Sequence, residues 1–288
     1  MQNKLTSAQL QAAYILACRA ELMALKPGNV HVFADGHGMV IEDFIASADA
    51  SAAAIAALNL SVGERIFNAV EATQNAVGIN TNLGIILLCA PLIHVALCFD
   101  AGKTFQQNLN DTLSQLTVKD AQLTAQAILL ANPGGLGAAS KYDVHAPLNV
   151  SLFVMMQVAQ HKDRIAWQYA NNFADIFEFG LPLYEKALDR WRDFSNKGQN
   201  QAWATTMVYL GFLARQCDTH VIRKHGEALA TSVMNEAREL EAGFWAGDNP
   251  KLMQKPLLAW DASLKTRNIN PGTSADLTVA CLLAAFLA

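Results

Sequence analysis

The chain has 288 residues, of which 52% are hydrophobic and only 16% charged, with a formal net charge of −4. That apolar excess predicts a thick core, and without a basic run it excludes a nucleic-acid groove built on phosphate neutralisation. Five scattered cysteines (Cys18, Cys89, Cys98, Cys217, Cys281) form no CxxC pair, and the N-terminus carries no signal-peptide core, which together predict a reduced, cytoplasmic protein.

Ala, Leu, Gln and Met dominate and period-two alternation is nearly absent, so the pattern predicts an all-α chain. Thr6-Ser7-Ala8-Gln9 fits a capping box opening a first helix that ends near Leu25, before Pro27 and Gly28. Further helices are predicted over 41–59, 61–76, 82–99, 104–116, 118–131, 144–160, 162–178, 181–195, 200–215, 224–243, 250–266 and 274–287. The run Leu83–Phe99 is too short to span a bilayer and contains Pro91 and His94, so no membrane span is expected. No low-complexity linker or internal repeat divides the chain, and one domain over 1–288 is the simplest organisation.

The polar breaks between helices carry the chemistry. Gly78-Ile79-Asn80-Thr81-Asn82-Leu83-Gly84 opens the apolar 82–99 helix, whose start must then lie deep in the protein. Free N–H groups and the positive dipole end there suit an anion; the simpler reading is that Asn80 or Thr81 caps a core helix. Asn270-Pro271-Gly272-Thr273-Ser274-Ala275-Asp276 repeats the design before the last helix. Two such starts point to a buried nucleotide pocket formed by helix N-termini.

Lys26-Pro27-Gly28-Asn29-Val30-His31 supplies a cation and an imidazole, followed by Asp35, His37 and Asp43, without zinc spacing. Glu64 and Glu71 share one helical face beside Ile66 and Val70, where they read as candidate bases or metal ligands or, more simply, as solvent-exposed carboxylates with Arg65 as a neighbour. Asn132-Pro133-Gly134-Gly135-Leu136-Gly137 resembles a phosphate loop but lacks a preceding strand. Asp143 falls at a predicted helix start, where it reads as a cap or a Mg²⁺ ligand. Asp163 reads as a cap before Arg164, and Asp218 stands in a run that continues through His220, Arg223, Lys224 and His225.

In this order, Lys26–Val30, Gly78–Gly84, Asp143, Arg164–Tyr169, Asp218–Arg223 and Pro271–Leu277 resemble the triphosphoribosyl-dephospho-CoA synthases. The resemblance runs from Lys26 to the C-terminus. It implies an all-helical transferase that moves the triphosphoribosyl group of ATP to the 2′-hydroxyl of 3′-dephospho-CoA and releases adenine. Two positions depart from the family pattern: Asn29-Val30-His31 stands where Leu-Val-Asp is common, and Asn82-Leu83 where His-Lys is common. These departures resemble a branch linked to one-carbon or pterin-cofactor metabolism. The alternatives are therefore a related ribosyl or phosphoribosyl transferase with another acceptor and a non-catalytic nucleotide-binding protein.

Under the first reading Lys26, Asn80, Thr81, Asn82, Gly84, Arg164, Arg223, Gly272, Thr273 and Ser274 contact the nucleotide. Glu71, Asp143 and Asp218 are the candidate catalytic carboxylates. Asp143, Asp218 and Asp276 are the candidate ligands of an expected Mg²⁺. ATP and dephospho-CoA, or another ribosyl acceptor, are the expected small-molecule partners, with neither nucleic acid nor membrane, and a homodimer is one option for assembly.

Overall fold

A computed structural model of the protein describes residues 5–134, 141–192 and 197–287. Among the described residues the secondary structure is helical, and two isolated β-bridges, His31–Ala34 and Gly36–Met39, stand in for any sheet. The contacts gather into two compact units, Met1–Leu16 with Asp43–Ala174 and Phe286–Ala288, and Ala17–Glu42 with Asp175–Ala285.

The first unit is built from the start of α1 (Ser7–Leu22), most of α2 (Ile41–Ile55), and α3 (Val62–Val77), α4 (Leu83–Cys98), α5 (Phe105–Ser114), α6 (Val118–Ala131), α7 (Leu152–Ala159) and α8 (Arg164–Ala170). Helix α4 is buried on nearly every side, as its composition demands. Pro91 lies inside it and removes the amide that would bond the Leu87 carbonyl one turn back. The Tyr169 hydroxyl donates to that carbonyl at 2.6 Å. Helices α3 and α6 meet where Gly63 N–H donates to Asp120 Oδ1 at 2.8 Å, and a Cβ at Gly63 would stand 2.5 Å from the Asp120 Cα. Only glycine allows that approach.

The second unit holds the end of α1, the loop 23–40, a π-helical turn over Asp175–Gly180, α9 (Leu181–Arg190), α10 (Lys197–Arg215), α11 (Thr219–His225), α12 (Glu227–Ala246), α13 (Gln254–Thr266) and most of α14 (Gly272–Leu287). Its aromatic core joins Trp191 edge-on to Phe244 (5.0 Å) and stacked on Trp245 (5.6 Å).

Three predicted helices change form. The helix expected over 144–160 begins only at Leu152, capped by Ser151, because Pro147 disfavours helical geometry before it. Asp143 therefore sits in a turn and not at a helix start. The helix expected over 162–178 stops at Ala170, where Asn172 and Phe173 take left-handed φ values of 50° and 57°. That reversal places the fully buried Phe173 against Tyr169, with ring centroids 5.6 Å apart. The 224–243 prediction spans two helices, α11 and α12, which are separated by Gly226 at φ 86°. The capping box at Thr6 and Gln9 and the cap at Asp163 form as predicted.

Candidate functional site

In the second unit, the Lys26–His31 and Asn270–Asp276 breaks come together. Gly28 takes φ 83°, and a Cβ there would meet Pro271 Cδ at 2.8 Å and the Ile269 carbonyl at 3.0 Å. Glycine thus lets the Lys26–His31 turn lie on the turn before α14. Asn29 Nδ2 donates to Asn270 Oδ1 at 2.8 Å, Gly28 N–H to Asp261 Oδ1 at 2.8 Å, and the Tyr209 hydroxyl to the Pro27 carbonyl at 2.7 Å. His37 Nε2 lies 2.8 Å from the Gly28 carbonyl.

Lys26 is fully buried. It pairs with Glu21 and donates to Asn29 Oδ1 at 3.2 Å. Burial weakens both charges, raising the Glu21 carboxyl and lowering the Lys26 ammonium, while their mutual attraction opposes each shift. Lys26 is thus committed within the fold, and Asp276 adds to the field that favours its charge. His31 is buried too. Its Nδ1 accepts from Phe33 N–H at 3.2 Å, and Nε2 approaches Asp261 Oδ1 at 3.3 Å without hydrogen-bond alignment. Burial, more than any neighbour, lowers its pKa, with Asp261 opposing. Asp261 also receives Lys265 Nζ at 3.0 Å.

Asp218 and the α14 start form the other half of this cluster. Asp218 Oδ1 accepts from His220 N–H (2.9 Å) and Val221 N–H (3.1 Å), and Oδ2 from Ser274 N–H (2.7 Å) and Ser274 Oγ (2.8 Å). Thr219 Oγ1 and Thr273 Oγ1 lie 3.0 Å apart. Burial pushes the Asp218 carboxyl up, against the pull of these donors. A Cβ on Gly272 would sit 3.0 Å from His220 Nδ1. Burial, followed by the cations Arg223 and Lys224, pushes the His220 pKa down to about 3. Arg223 and Asp276 are both half-buried in this unit.

The remaining candidates lie in the first unit. Asn80 Oδ1 accepts from Leu83 N–H at 3.2 Å, the capping role the simpler reading gave it, and Asn82 makes no side-chain cap. Thr81 Oγ1 donates to Ser47 Oγ at 2.6 Å, and Asn82 Nδ2 to Ser51 Oγ at 3.3 Å. Gly84 is half-buried and Glu71 exposed. Arg65, the neighbour of Glu64 and Glu71, is buried and donates to the Ile55 carbonyl (3.0 Å) and the Ala57 carbonyl at the end of α2. Arg164 lies 3.7 Å over the Trp167 ring. Asp143 Oδ1 accepts from His145 N–H at 2.8 Å and lies 2.7 Å from His145 Nδ1. Of the glycine loop, Gly135, Leu136 and Gly137 lie outside the described residues.

Sequence reasoning missed Asp261, Lys265, Tyr209 and Glu21. The four-residue spacing of Asp261 and Lys265 was visible, but nothing local marked their partner as the turn at Gly28, 233 residues away. Among the described residues no group of three His, Cys, Asp or Glu side chains is placed to hold a metal ion, and no helix is long and apolar enough to cross a membrane.

The sequence model of the ATP:dephospho-CoA triphosphoribosyl transferases matches residues 7–288. The chain belongs to that family. Its reaction is accordingly a pentosyl transfer, of the triphosphoribosyl group of ATP to dephospho-CoA. A solved structure named "putative triphosphoribosyl-dephospho-CoA synthase" from Archaeoglobus fulgidus shares the fold, with a TM-score of 0.60 and 22% identity over 84% of this chain and 97% of that one. No curated protein matches the chain.

Proposed function

We propose that this transferase meets the triphosphate of ATP in its second unit, at Gly272, Thr273 and Arg223, beside Ser274, whose N–H and hydroxyl are held by Asp218, with the buried Lys26 adding to the local charge. The observation that carries this reading is the convergence of the Lys26–His31 turn, Asp218 and the α14 start within one unit. Arginine suits phosphate oxygens because its fork donates two parallel bonds. Arg223→Ala is expected to raise the KM for ATP by about tenfold, the loss of one charge-assisted contact, with kcat less affected.

Mg²⁺ fits here as a companion of the nucleotide. The ion keeps several waters and needs only one or two carboxylates beside phosphate oxygens, and half-buried Asp276 is the carboxylate we assign to it. Bound there, it would neutralise triphosphate charge.

The departures from the family pattern do not call for an acceptor other than dephospho-CoA. They are packed inward: His31 is 1% exposed, Asn82 5% and Leu83 8%. Each is therefore explained by packing without a new acceptor. In the first unit, Asn80, Thr81, Gly84 and Arg164 are proposed nucleotide contacts on their chemistry, with Glu71 and Asp143 as candidate bases for the 2′-hydroxyl. Asp143→Asn should lower turnover far more than stability; equal losses in both would make it a turn residue.

The decisive assay is chromatographic detection of adenine from Mg-ATP and dephospho-CoA. Adenine release that depends on dephospho-CoA is expected, and no release would overturn the reading.

A further inference from the structure

Asp218 is 3% exposed and receives four donors, two from the start of α11 and two from Ser274 near the start of α14. A carboxylate offers about four lone-pair directions, so this one is fully engaged. It could neither enter the inner sphere of a metal nor accept a substrate proton without releasing a helix start. The surrounding contacts are set by the same clamp. His220 N–H also lies 3.2 Å from Thr273 Oγ1, and a Cβ on Gly272 would press against the His220 ring at 3.0 Å.

We propose that Asp218 is a positioning residue of the transfer reaction. It fixes Gly272, Thr273 and Ser274 against His220 and Arg223, and it is neither a Mg²⁺ ligand nor the base. This rests on the reading above, in which Gly272, Thr273 and Arg223 face the triphosphate. A shift of about 1 Å in such groups costs on the order of a hundredfold in rate.

The full-length enzyme tests this with Asp218→Ala and Asp218→Asn, followed by adenine release, Mg²⁺ half-saturation and thermal unfolding, each with and without sodium formate. Expected for Asp218→Ala are a kcat loss of about a hundredfold and Mg²⁺ half-saturation close to wild type. Formate, a carboxylate small enough for the vacated space, should restore kcat about tenfold, or about 1.4 kcal/mol of barrier, and raise Tm more than in wild type. Half-saturation raised tenfold or more in both variants would make Asp218 a metal ligand and overturn the proposal. Unchanged kcat, no formate effect on either kcat or Tm, or failure of both variants to fold would also overturn it. If wild-type enzyme releases no adenine, the functional reading fails instead, and the formate shift in Tm still decides whether the clamp exists.

Discussion

Tyr169 supplies the hydrogen bond that Pro91 removes from its own helix. The Leu87 carbonyl is buried in the core of the first unit and would otherwise have no donor one turn on. An unsatisfied buried carbonyl costs about 1–3 kcal/mol. Tyr169→Phe should therefore lose about that much in urea unfolding, while Tyr169→Phe combined with Pro91→Ala, which restores the amide, should recover part of it. Additive losses in the double variant would show that the hydroxyl is not Pro91's substitute. The proline was plain in the sequence. Its remedy was not, because Tyr169 lies 82 residues away and reads as one more core aromatic.

At the scale of elements, α3 and α6 hold each other through Gly63 and Asp120. Burial disfavours the Asp120 charge, but hydrogen bonds from Ser61, Thr117 and Gly63 more than offset this and hold the carboxyl below its ordinary range. The sign follows: with a depressed pKa in the folded state, the stabilisation is present above the unfolded value of about 4. It is lost as pH falls through the folded value. Asp120→Asn should cost about 1–3 kcal/mol at neutral pH, and the gap to wild type should close in acid denaturation curves. A gap that persists in acid would mean that geometry and not charge stabilises the contact. Helix existence was legible because apolar spacing repeats along the chain. The boundaries that moved have local causes. Pro147 delays α7, left-handed Asn172 and Phe173 stop α8, and Gly226 divides a stretch that looked continuous. Asp143 changed its setting with the first of these.

For the whole molecule, composition and the order of polar breaks carried the fold class and the family. The pairing of those breaks was not legible. The Lys26–His31 turn and the α14 start each looked like a separate loop, and their partners Asp261 and Lys265 lie on a helix without local distinction. The single carboxylate assigned to Mg²⁺, Asp276, can be tested directly. Titrating Mg²⁺ into nucleotide-free enzyme should show no saturable heat at micromolar concentration, whereas activity should follow the concentration of Mg-ATP. A tight site in the free enzyme would place the ion in the protein and not with its substrate.

The Gly28–Asp261 and Asn29–Asn270 contacts also constrain biosynthesis. They join residues 233 and 241 positions apart. A chain emerging from the ribosome therefore makes its Lys26 turn early and holds it without its Asp261 and Asn270 partners until the last two helices appear. Such distant closure is slow, since the entropy of the loop must be met before the contact forms. Most of the first unit, Asp43–Ala174, is by contrast one continuous stretch. Stalled chains ending before Asp261 should leave Lys26 open to amine-reactive labelling, and chains released at full length should protect it.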